Sequence, residues 1–301
     1  MPERVNPGRP SLRPVWIVAL VALVVLVFAG LIVGVAIAMM VWTANPSSST
    51  APGPAGNPAA QESDVVDEQS PDYYDAIDTS ADAEVLREQL HDLIALRTSL
   101  DYRELWDALA YTDADPQHAG QVVLFYTGWS RGAEAHGGQP SEWNREHIWA
   151  KSRGGFGNAP PAGTDLHHIR PTDVSVNQAR ANLAFDGGGV LYTDADGVTE
   201  CRYDDDSWEP RDAVKGDVAR MLFYMVVCYE SAELDMELVE AALPQDDRRP
   251  IHGVLSTLLA WHDADPPDDF ERRRNARVFE LQGNRNPFID HPEWVGVIWG
   301  D

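Results

Sequence analysis

One long segment without charged side chains, Val15 to Trp42, limits what this chain can fold into. A helix of these 28 residues rises about 42 Å, which exceeds the ~30 Å hydrocarbon core of a bilayer. We therefore expect residues 15–42 to form a single transmembrane helix. The alternative is a cleaved signal peptide, whose apolar region is usually only ~7–15 residues long. Ala36-Ile37-Ala38 is a cleavage site compatible with that alternative.

The flanking charges predict how this segment is oriented. Arg4, Arg9 and Arg13 precede it, and no charged residue follows it until Glu62. The positive-inside rule then places residues 1–14 in the cytoplasm and the rest of the chain outside the cell. The expected product is a single-pass protein of the cell membrane with an extracellular domain, or a secreted protein if the segment is cleaved.

The remaining chain divides into a linker and one domain. Residues 43–71 are rich in Pro, Ala and Ser, a composition that buries nothing and is typical of a spacer. Residues 72–301 are long enough to enclose one large hydrophobic core. No internal repeat is evident in this stretch, so we expect a single folded domain.

The chain is strongly acidic, with 23 Lys and Arg residues against 48 Asp and Glu residues, a net charge of −25. Such a charge argues against a protein that coats nucleic acid, but it leaves room for one local site for a polyanion. Two cysteines exclude a disulfide-dense scaffold and a four-cysteine zinc module. Cys201 and Cys228 either form one disulfide or remain two buried thiols, and the sequence leaves both alternatives open.

The apolar spacing predicts a helix-rich α+β domain with a small β element near its middle. A β-rich run at 122–126, ended by Gly128, predicts a strand. The longer helices are predicted at 81–99, 214–230, 251–262 and 270–281.

A first candidate for chemistry is Gly128-Trp129-Ser130-Arg131-Gly132, which matches the G-x-S-x-G pattern of a serine nucleophile. That arrangement needs a helix directly after the serine, whereas residues 133–140 contain three helix breakers. A turn bracketed by glycines is the favoured interpretation. A serine hydrolase that uses Ser130 is kept as an alternative.

A second candidate is the acidic stretch Asp194-Ala195-Asp196-Gly197, with Asp204-Asp205-Asp206 nearby. It does not match the calcium-loop pattern, which needs further acidic residues at fixed positions. An Asp-Gly hairpin turn is the favoured interpretation, and an incidental cation site is the alternative.

The third candidate is the window 131–180, whose charge differs from that of the rest of the chain. It holds four of the nine histidines, and its six basic and five acidic residues sum to +1. A nearly neutral patch rich in His and Arg within an acidic chain suits a site for a phosphate chain. Two short strands, at 143–149 and 165–171, and a short helix at 177–182, opened by Thr172 or Asp173, are predicted within it.

These segments carry what phosphodiester hydrolysis needs, namely a base, a cation and positive groups. His147 suits the base because its ordinary pKa lies near neutrality. Glu146 and Asn177 offer the oxygen ligands that Mg²⁺ prefers, and Arg153 and Arg180 can bind phosphate as planar forks. A regular strand would point neighbouring Glu146 and His147 to opposite faces. Both can serve one site only if the strand bends or ends there.

Three motifs resemble the bacterial endonuclease I family. Residues 143–152, WNREHIWAKS, resemble its catalytic motif. Residues 165–185 resemble its next motif, and residues 282–293, QGNRNPFIDHPE, are also characteristic. The resemblance spans about 82–300, nearly all of the expected domain. Ala150 is a departure, because relatives commonly have proline at that position.

The resemblance implies a ββα-metal fold, in which a hairpin and a helix carry one divalent cation, set among extra helices. It implies that His147 is the general base and that Glu146 and Asn177 are metal ligands for Mg²⁺, with Mn²⁺ or Ca²⁺ as substitutes. Arg180 and Asn182 would then orient substrate or ligands, and Arg153 would bind phosphate. Members of the family cut DNA, and often RNA, with little sequence preference.

We therefore predict a magnesium-dependent, sequence-nonspecific endonuclease that is tethered to the outer side of the membrane. Its expected partners are DNA, RNA and the lipid bilayer, the last through residues 15–42, with no obligate protein partner. A membrane protein that captures DNA without cleaving it is the alternative from a different class. Intact Glu146, His147 and Asn177 argue against that alternative.

Overall fold

A computed structural model describes residues 73–230 and 234–300 of the chain. The cytoplasmic segment 1–14, the transmembrane helix 15–42 and the linker 43–71 were predicted for residues outside these ranges. Within the described ranges, no helix is both long enough and apolar enough to span a bilayer.

The described residues combine short strands with helices, which agrees with the predicted α+β class. The helices are α1 (Ala83–Ile94), α2 (Leu105–Thr112), α3 (Val174–Arg180), α4 (Lys215–Cys228), α5 (Leu255–Ala264), α6 (Asp269–Gln282), α7 (Pro287–Asp290) and α8 (Glu293–Trp299). The strands are β1 (Gln121–Val123), β2 (Ser130–Gly132), β3 (Trp143–His147), β4 (Ile169–Asp173), β5 (Ala184–Phe185), β6 (Val190–Asp194), β7 (Gly197–Tyr203), β8 (Ser207–Glu209), β9 (Glu237–Leu238) and β10 (Ile251–His252). Two 3₁₀ turns lie at Ala162–Thr164 and Asp212–Val214.

Three of the predicted helices are confirmed as α1, α4 and α6, with shorter or slightly shifted ends. The prediction of a helix over 251–262 is wrong at its start. Ile251 and His252 form β10, which pairs with β9 in parallel, and the helix begins only at Leu255. The backbone N–H of Val239 donates to the carbonyl of His252 at 2.9 Å, so a distant segment draws these two residues into a ladder.

A four-stranded sheet with the order β5-β8-β7-β6 follows α3. Strands β6 and β7 form an antiparallel hairpin in which Asp194 is paired with Gly197. Gly197 has a φ of 150°, a conformation that favours glycine. The predicted Asp-Gly hairpin turn is therefore confirmed.

A second hairpin and a short helix form the unit that positions the site. Strands β3 and β4 are antiparallel, and Glu146 is paired with Arg170. Strand β4 continues directly into α3, where the Asp173 carboxylate caps the helix by accepting from the backbone N–H of Ser175 at 2.9 Å. The two strands and the helix that the sequence predicted are thus present, and Asp173 rather than Thr172 is the cap.

The hairpin lies between two groups of buried apolar side chains. The larger group surrounds α4, in which every residue from Gly216 to Cys228 is buried, and it includes Trp149. The smaller group includes Trp143 and packs beneath α2 and β1. Because Trp143 begins β3 and Trp149 follows its end by two residues, packed apolar surroundings hold the chain on both sides of the site residues.

Candidate active site

A cavity of about 790 Å³ runs alongside β3. Its lining combines residues of β3, of the segment that follows it, of α3, of the start of α2 with the turn before it, and of a distant loop. The lining side chains include Tyr102, Trp106, Asn144, Arg145, Glu146, His147, Lys151, Ser152, Asn177, Asn182, Gln245, Asp246 and Arg248. Four of the predicted site residues, Glu146, His147, Asn177 and Asn182, therefore meet at one cavity.

The structure resolves the difficulty that Glu146 and His147 are neighbours on a strand. Strand β3 ends at His147, and its only strand partner among the described residues is β4. Side chains from both faces of β3, from Asn144 to His147, line the same cavity. A strand that ends beside a cavity can therefore present two successive side chains to one site.

Two buried side chains contact the Glu146 carboxylate and hold it in place. Its Oε1 accepts from the hydroxyl of Tyr126 at 2.8 Å and lies 3.1 Å from Nη1 of Arg180. Burial raises the pKa of Glu146, while Arg180 and Tyr126 oppose that change by stabilising the carboxylate. These contacts engage one carboxylate oxygen and fix the orientation of the other.

His147 is oriented by a carbonyl on the opposite side of its ring. Its Nε2 lies 3.1 Å from the carbonyl oxygen of Gly163. Since a carbonyl can only accept, Nε2 carries the proton in the neutral ring, and Nδ1 keeps its lone pair. Burial lowers the pKa of His147 well below its ordinary value, and His168 and Lys151 lower it further. The ring is therefore a neutral acceptor at physiological pH.

The turn that orients His147 requires glycine at position 163. A Cβ on Gly163 would lie 2.6 Å from the carbonyl carbon of Asn158 and 2.7 Å from the carbonyl oxygen of Gly157. Both are backbone atoms, so a side chain here would displace the turn. The carbonyl that holds His147 therefore depends on a close approach of two backbone segments.

Asn177 presents an amide to the cavity from α3. Its Nδ2 donates to Oδ1 of Asn144 at 2.7 Å, which leaves its own Oδ1 as an acceptor. With the Glu146 carboxylate, this amide gives the site two hard oxygen donors, the type that Mg²⁺, Mn²⁺ and Ca²⁺ favour. The residues present therefore fit a divalent cation.

Asn182 also lines the cavity, but its amide is engaged with the protein. Its Nδ2 donates to Oγ of Ser152 at 3.0 Å and to the carbonyl of Gln245 at 2.7 Å. These bonds connect α3 to the segment after β3 and to the loop at 245–248, so Asn182 shapes one wall of the cavity.

The structure places Arg153 and Arg180 behind the site, and neither is among the residues that line the cavity. Both side chains are fully buried. Arg153 donates to the carbonyls of Asn182 and Leu243, and burial lowers its pKa to about 10. Arg180 donates to the carbonyl of Ile148 at 2.8 Å and pairs with Glu146. This geometry does not suit the phosphate contact predicted for them.

Three other cationic side chains line the cavity in their place, namely Arg145, Lys151 and Arg248. Arg145 belongs to the motif at 143–152, but no feature of the sequence distinguishes it from the other arginines of the window 131–180. Arg248 lies in a loop a hundred residues away, and only the fold brings it here. With Glu146 and Asp246 as the acidic residues of the lining, the cavity keeps a small positive excess in a strongly acidic chain.

Ser130 does not occupy the strand-to-helix turn that a serine nucleophile of the G-x-S-x-G type requires. It begins β2, which pairs with β1 around a turn at Gly128, so the turn interpretation is confirmed. Its hydroxyl donates to Asp115, and Nδ1 of His118 faces that same carboxylate at 2.8 Å. The same Nδ1 lies 3.4 Å from Oγ of Ser130. In a catalytic triad, opposite nitrogens of the imidazole contact the serine and the acid, so this arrangement is not a triad.

The acidic turn at Asp194 and Asp196 meets Asp173, so three carboxylates lie within 4.8 Å of one another. Arg131 neutralises two of them, with Nη1 at 3.1 Å from Asp173 and Nη2 at 2.8 Å from Asp196. This group is separate from the lining of the cavity.

Cys201 and Cys228 are buried free thiols, which is the second of the two alternatives that the sequence left open. The Sγ of Cys201 lies 3.2 Å from the carbonyl of Tyr126, and that of Cys228 lies 3.3 Å from the hydroxyl of Tyr224. Burial raises the pKa of the Cys201 thiol to about 11 and that of Cys228 to about 12.

Comparison with known families accounts for this arrangement. The sequence model of the endonuclease I family matches residues 82–293, which contain the hairpin, α3 and the cavity. The chain belongs to the endonuclease I family. It is therefore a phosphodiester-hydrolysing nuclease, as its resemblance implied.

The chain is similar to curated proteins of two kinds. An extracellular ribonuclease of Bacillus subtilis (strain 168) is 50% identical over 230 residues, which are 75% of this chain and 78% of the relative. An extracellular ribonuclease of Bacillus amyloliquefaciens is 52% identical over 217 residues, 71% of this chain and 73% of the relative. An extracellular deoxyribonuclease of Aeromonas hydrophila is 30% identical over 132 residues, 42% and 49% of the two chains.

Proposed function

We propose that the chain is a metal-dependent, sequence-nonspecific endonuclease that hydrolyses the phosphodiester bonds of both RNA and DNA outside the cytoplasm. The observation that carries this proposal is the meeting of Glu146, His147 and Asn177 at one cavity. There His147 offers a free Nδ1, and the other two residues offer oxygen donors.

His147 acts as the general base in this proposal. Its Nε2–H stays bonded to the carbonyl of Gly163, so the ring cannot rotate away while Nδ1 accepts a proton from the attacking water. The low pKa of His147 keeps Nδ1 unprotonated before the reaction. Glu146 and Asn177 would hold a Mg²⁺ ion, for which Mn²⁺ or Ca²⁺ could substitute, and such an ion would supply positive charge against the phosphate oxygens.

Arg180 and Tyr126 are positioning residues for Glu146. Both contact Oε1 and favour the ionised carboxylate, against the effect of burial. Arg153 and Asn182 hold the wall formed by the segments after β3 and α3. We assign these residues to the support of the site rather than to phosphate binding.

The proposed range of substrates rests on the chemistry of the site and on the relatives. The water that His147 activates attacks phosphorus directly, so the reaction does not need the 2′-hydroxyl of RNA. One mechanism therefore serves both nucleic acids. Two relatives that share half of the aligned residues are named ribonucleases, and more distant relatives are named deoxyribonucleases. Contacts to phosphate rather than to base edges carry no sequence information, which fits a nonspecific enzyme.

We also propose that the domain acts outside the cell and that residues 15–42 tether it to the membrane. The relatives named above are extracellular enzymes. The uncharged run at 15–42 and the arginines before it support a retained anchor that leaves the domain outside. Cleavage after this segment would give a secreted enzyme instead.

The proposal is tested with the purified full-length chain in detergent, incubated with plasmid DNA or with single-stranded RNA. We expect both substrates to be cut in the presence of Mg²⁺ and neither to be cut with excess EDTA. Binding of DNA without cleavage under all metal conditions would support the DNA-capturing alternative. Cleavage that persists in EDTA would overturn the metal-dependent mechanism.

A further inference from the structure

Arg145 lies between two aromatic rings at the edge of the cavity. Its guanidinium carbon is 3.7 Å from the ring centre of Tyr102 and 3.7 Å from that of Trp106. Its Nη1 also donates to the backbone carbonyl of Tyr102 at 2.6 Å. Two ring faces and one hydrogen bond therefore fix both the plane and the direction of the guanidinium.

A second layer of rings supports this arrangement. His136 stacks on Trp106 with a centre-to-centre distance of 4.3 Å and an angle of 13°. Trp143 packs edge-on against both rings at 5.3 Å, and its own side chain is fully buried at the start of β3. The rings that hold Arg145 are thus anchored in the packed interior.

Arg145 has no carboxylate partner within the described ranges, unlike the buried arginines of the same hairpin unit. Arg170 lies 2.7 Å from Asp113, and Arg180 lies 3.1 Å from Glu146. Arg145 is only half-buried and keeps donors for an anion within a cavity that it lines. A fixed, planar guanidinium is well suited to bind a phosphate with two parallel hydrogen bonds.

Arg145 lies close to His147, the proposed general base. Arg145 and His147 are two residues apart on β3, so they belong to the same face of the strand, with Cα atoms about 7 Å apart. A phosphate held by Arg145 would therefore lie close to the water that His147 is proposed to activate.

We propose that Arg145 binds a backbone phosphate of the substrate strand and that Tyr102 and Trp106 are positioning residues that hold its guanidinium. This assignment rests on the proposed nuclease function and names the group that binds the strand. It explains how an acidic chain can bind a polyanion, since a local, preoriented cation replaces an overall attraction.

The test measures binding separately from cleavage. The parent protein is the full-length His147→Gln variant, in which Gln can still donate to the Gly163 carbonyl but cannot act as the base. The affinity for a labelled single-stranded oligonucleotide is measured in Ca²⁺ over a range of KCl concentrations. Arg145→Gln in this background should weaken binding about ten- to hundred-fold. The slope of log affinity against log salt should become shallower by about 0.7, because one phosphate contact is lost.

Three further variants keep this test decisive. Arg103→Gln removes an exposed arginine that is next to Tyr102 in the chain but does not line the cavity, so its slope should match the parent. Arg145→Lys keeps the charge but not the planar fork, so it should weaken binding while retaining most of the slope. Trp106→Leu should also weaken binding with an unchanged slope. If Arg145→Gln unfolds, Arg145→Lys decides the question.

Two results would overturn these conclusions in different ways. An Arg145→Gln variant that binds with the affinity and slope of the parent would disprove the phosphate contact and leave the nuclease proposal intact. An Arg145→Lys variant that binds as tightly as the parent would disprove the role of the oriented guanidinium and of the two rings that hold it, and would also leave the nuclease proposal intact. A parent protein that binds no oligonucleotide in Ca²⁺ would contradict the proposed function itself.

Discussion

Strand β3 and residues 165–170, which lead into β4 and form its start, carry the same kinds of side chain and use them differently. On β3, Arg145 has no carboxylate partner among the described residues, and Glu146 and His147 keep an oxygen and a nitrogen for the cavity. In the other segment, the two oxygens of Asp165 accept four hydrogen bonds, from the hydroxyls of Tyr224 and Tyr229, the side chain of Gln282 and the backbone N–H of His167. Its carboxylate also lies 3.3 Å from Arg97.

The difference shows what separates a functional polar group from a structural one. Arg170 is bonded to Asp113 and stacks on Phe125, so it has no freedom to bind a ligand. The carboxylate of Asp165 is stabilised by Arg97 and its neighbours, which outweigh burial and hold its pKa far below its ordinary value. Both segments contain arginine, histidine and carboxylate side chains. Those of β3 lie beside the cavity and keep donor or acceptor atoms that the protein does not use.

The largest effect is expected from replacing the base. His147→Gln should reduce cleavage by about 10²–10⁴-fold while the unfolding temperature changes little, since Gln can retain the bond to Gly163. Initial rates on RNA and DNA and thermal unfolding are measured on the same preparations. His167→Gln is the matched control from the other segment and should keep most of the activity of its folded fraction. Equal losses in both variants would remove the functional distinction between the segments.

The next effect concerns stability rather than activity. Asp113 accepts from Arg170 at 2.7 Å and from Arg274 at 3.0 Å, and all three side chains are buried. Asp113→Ala leaves two buried cations without this partner and should lower the free energy of unfolding by about 3–5 kcal/mol. Urea denaturation measures this loss, with the exposed Asp92→Ala as the control. A change below about 1 kcal/mol, the ordinary effect of one substitution, would show that the network is dispensable.

A smaller effect is expected from acid. Burial lowers the pKa of His168 to about 4, with Asp165 opposing the change. The unfolded chain takes up this proton below about pH 6.5 and the folded chain only near pH 4, so stability falls as the pH drops through that window. His168→Gln should reduce this loss by about 3 kcal/mol.

Denaturation curves at pH 7 and pH 4.5 test this expectation. If His168→Gln lost stability on acidification as steeply as the wild type, another buried group would govern the acid response.

The sequence was sufficient to predict the hairpin, α3 and the residues of the motif, because these lie close together along the chain. Glu146, His147 and Asn177 could be named from the motifs that carry the resemblance, and the structure brings them to one cavity. Their roles stay predictions until the variants are measured. From the sequence, Glu146 and His147 could serve one site only if the strand bent or ended there. The structure shows that β3 ends at His147.

The arginines could not be sorted from the sequence, because whether a guanidinium faces the core or a cavity depends on distant segments. Arg180 turns inward because the carbonyl of Ile148 and the ring of Phe185 surround it. Arg145 faces the cavity because Tyr102 and Trp106 arrive from a segment about forty residues earlier. No local pattern in the sequence signals such contacts.

The central claim is that the cavity beside β3 is a metal-dependent nuclease site, and a calorimetric titration of the full-length chain with Mg²⁺ tests it most directly. The wild type is compared with Glu146→Gln and with Asp196→Asn, which alters the separate acidic group near Arg131. We predict that Glu146→Gln loses most of the Mg²⁺ affinity and that Asp196→Asn retains it. Unchanged binding in Glu146→Gln, with binding lost in Asp196→Asn, would contradict the account.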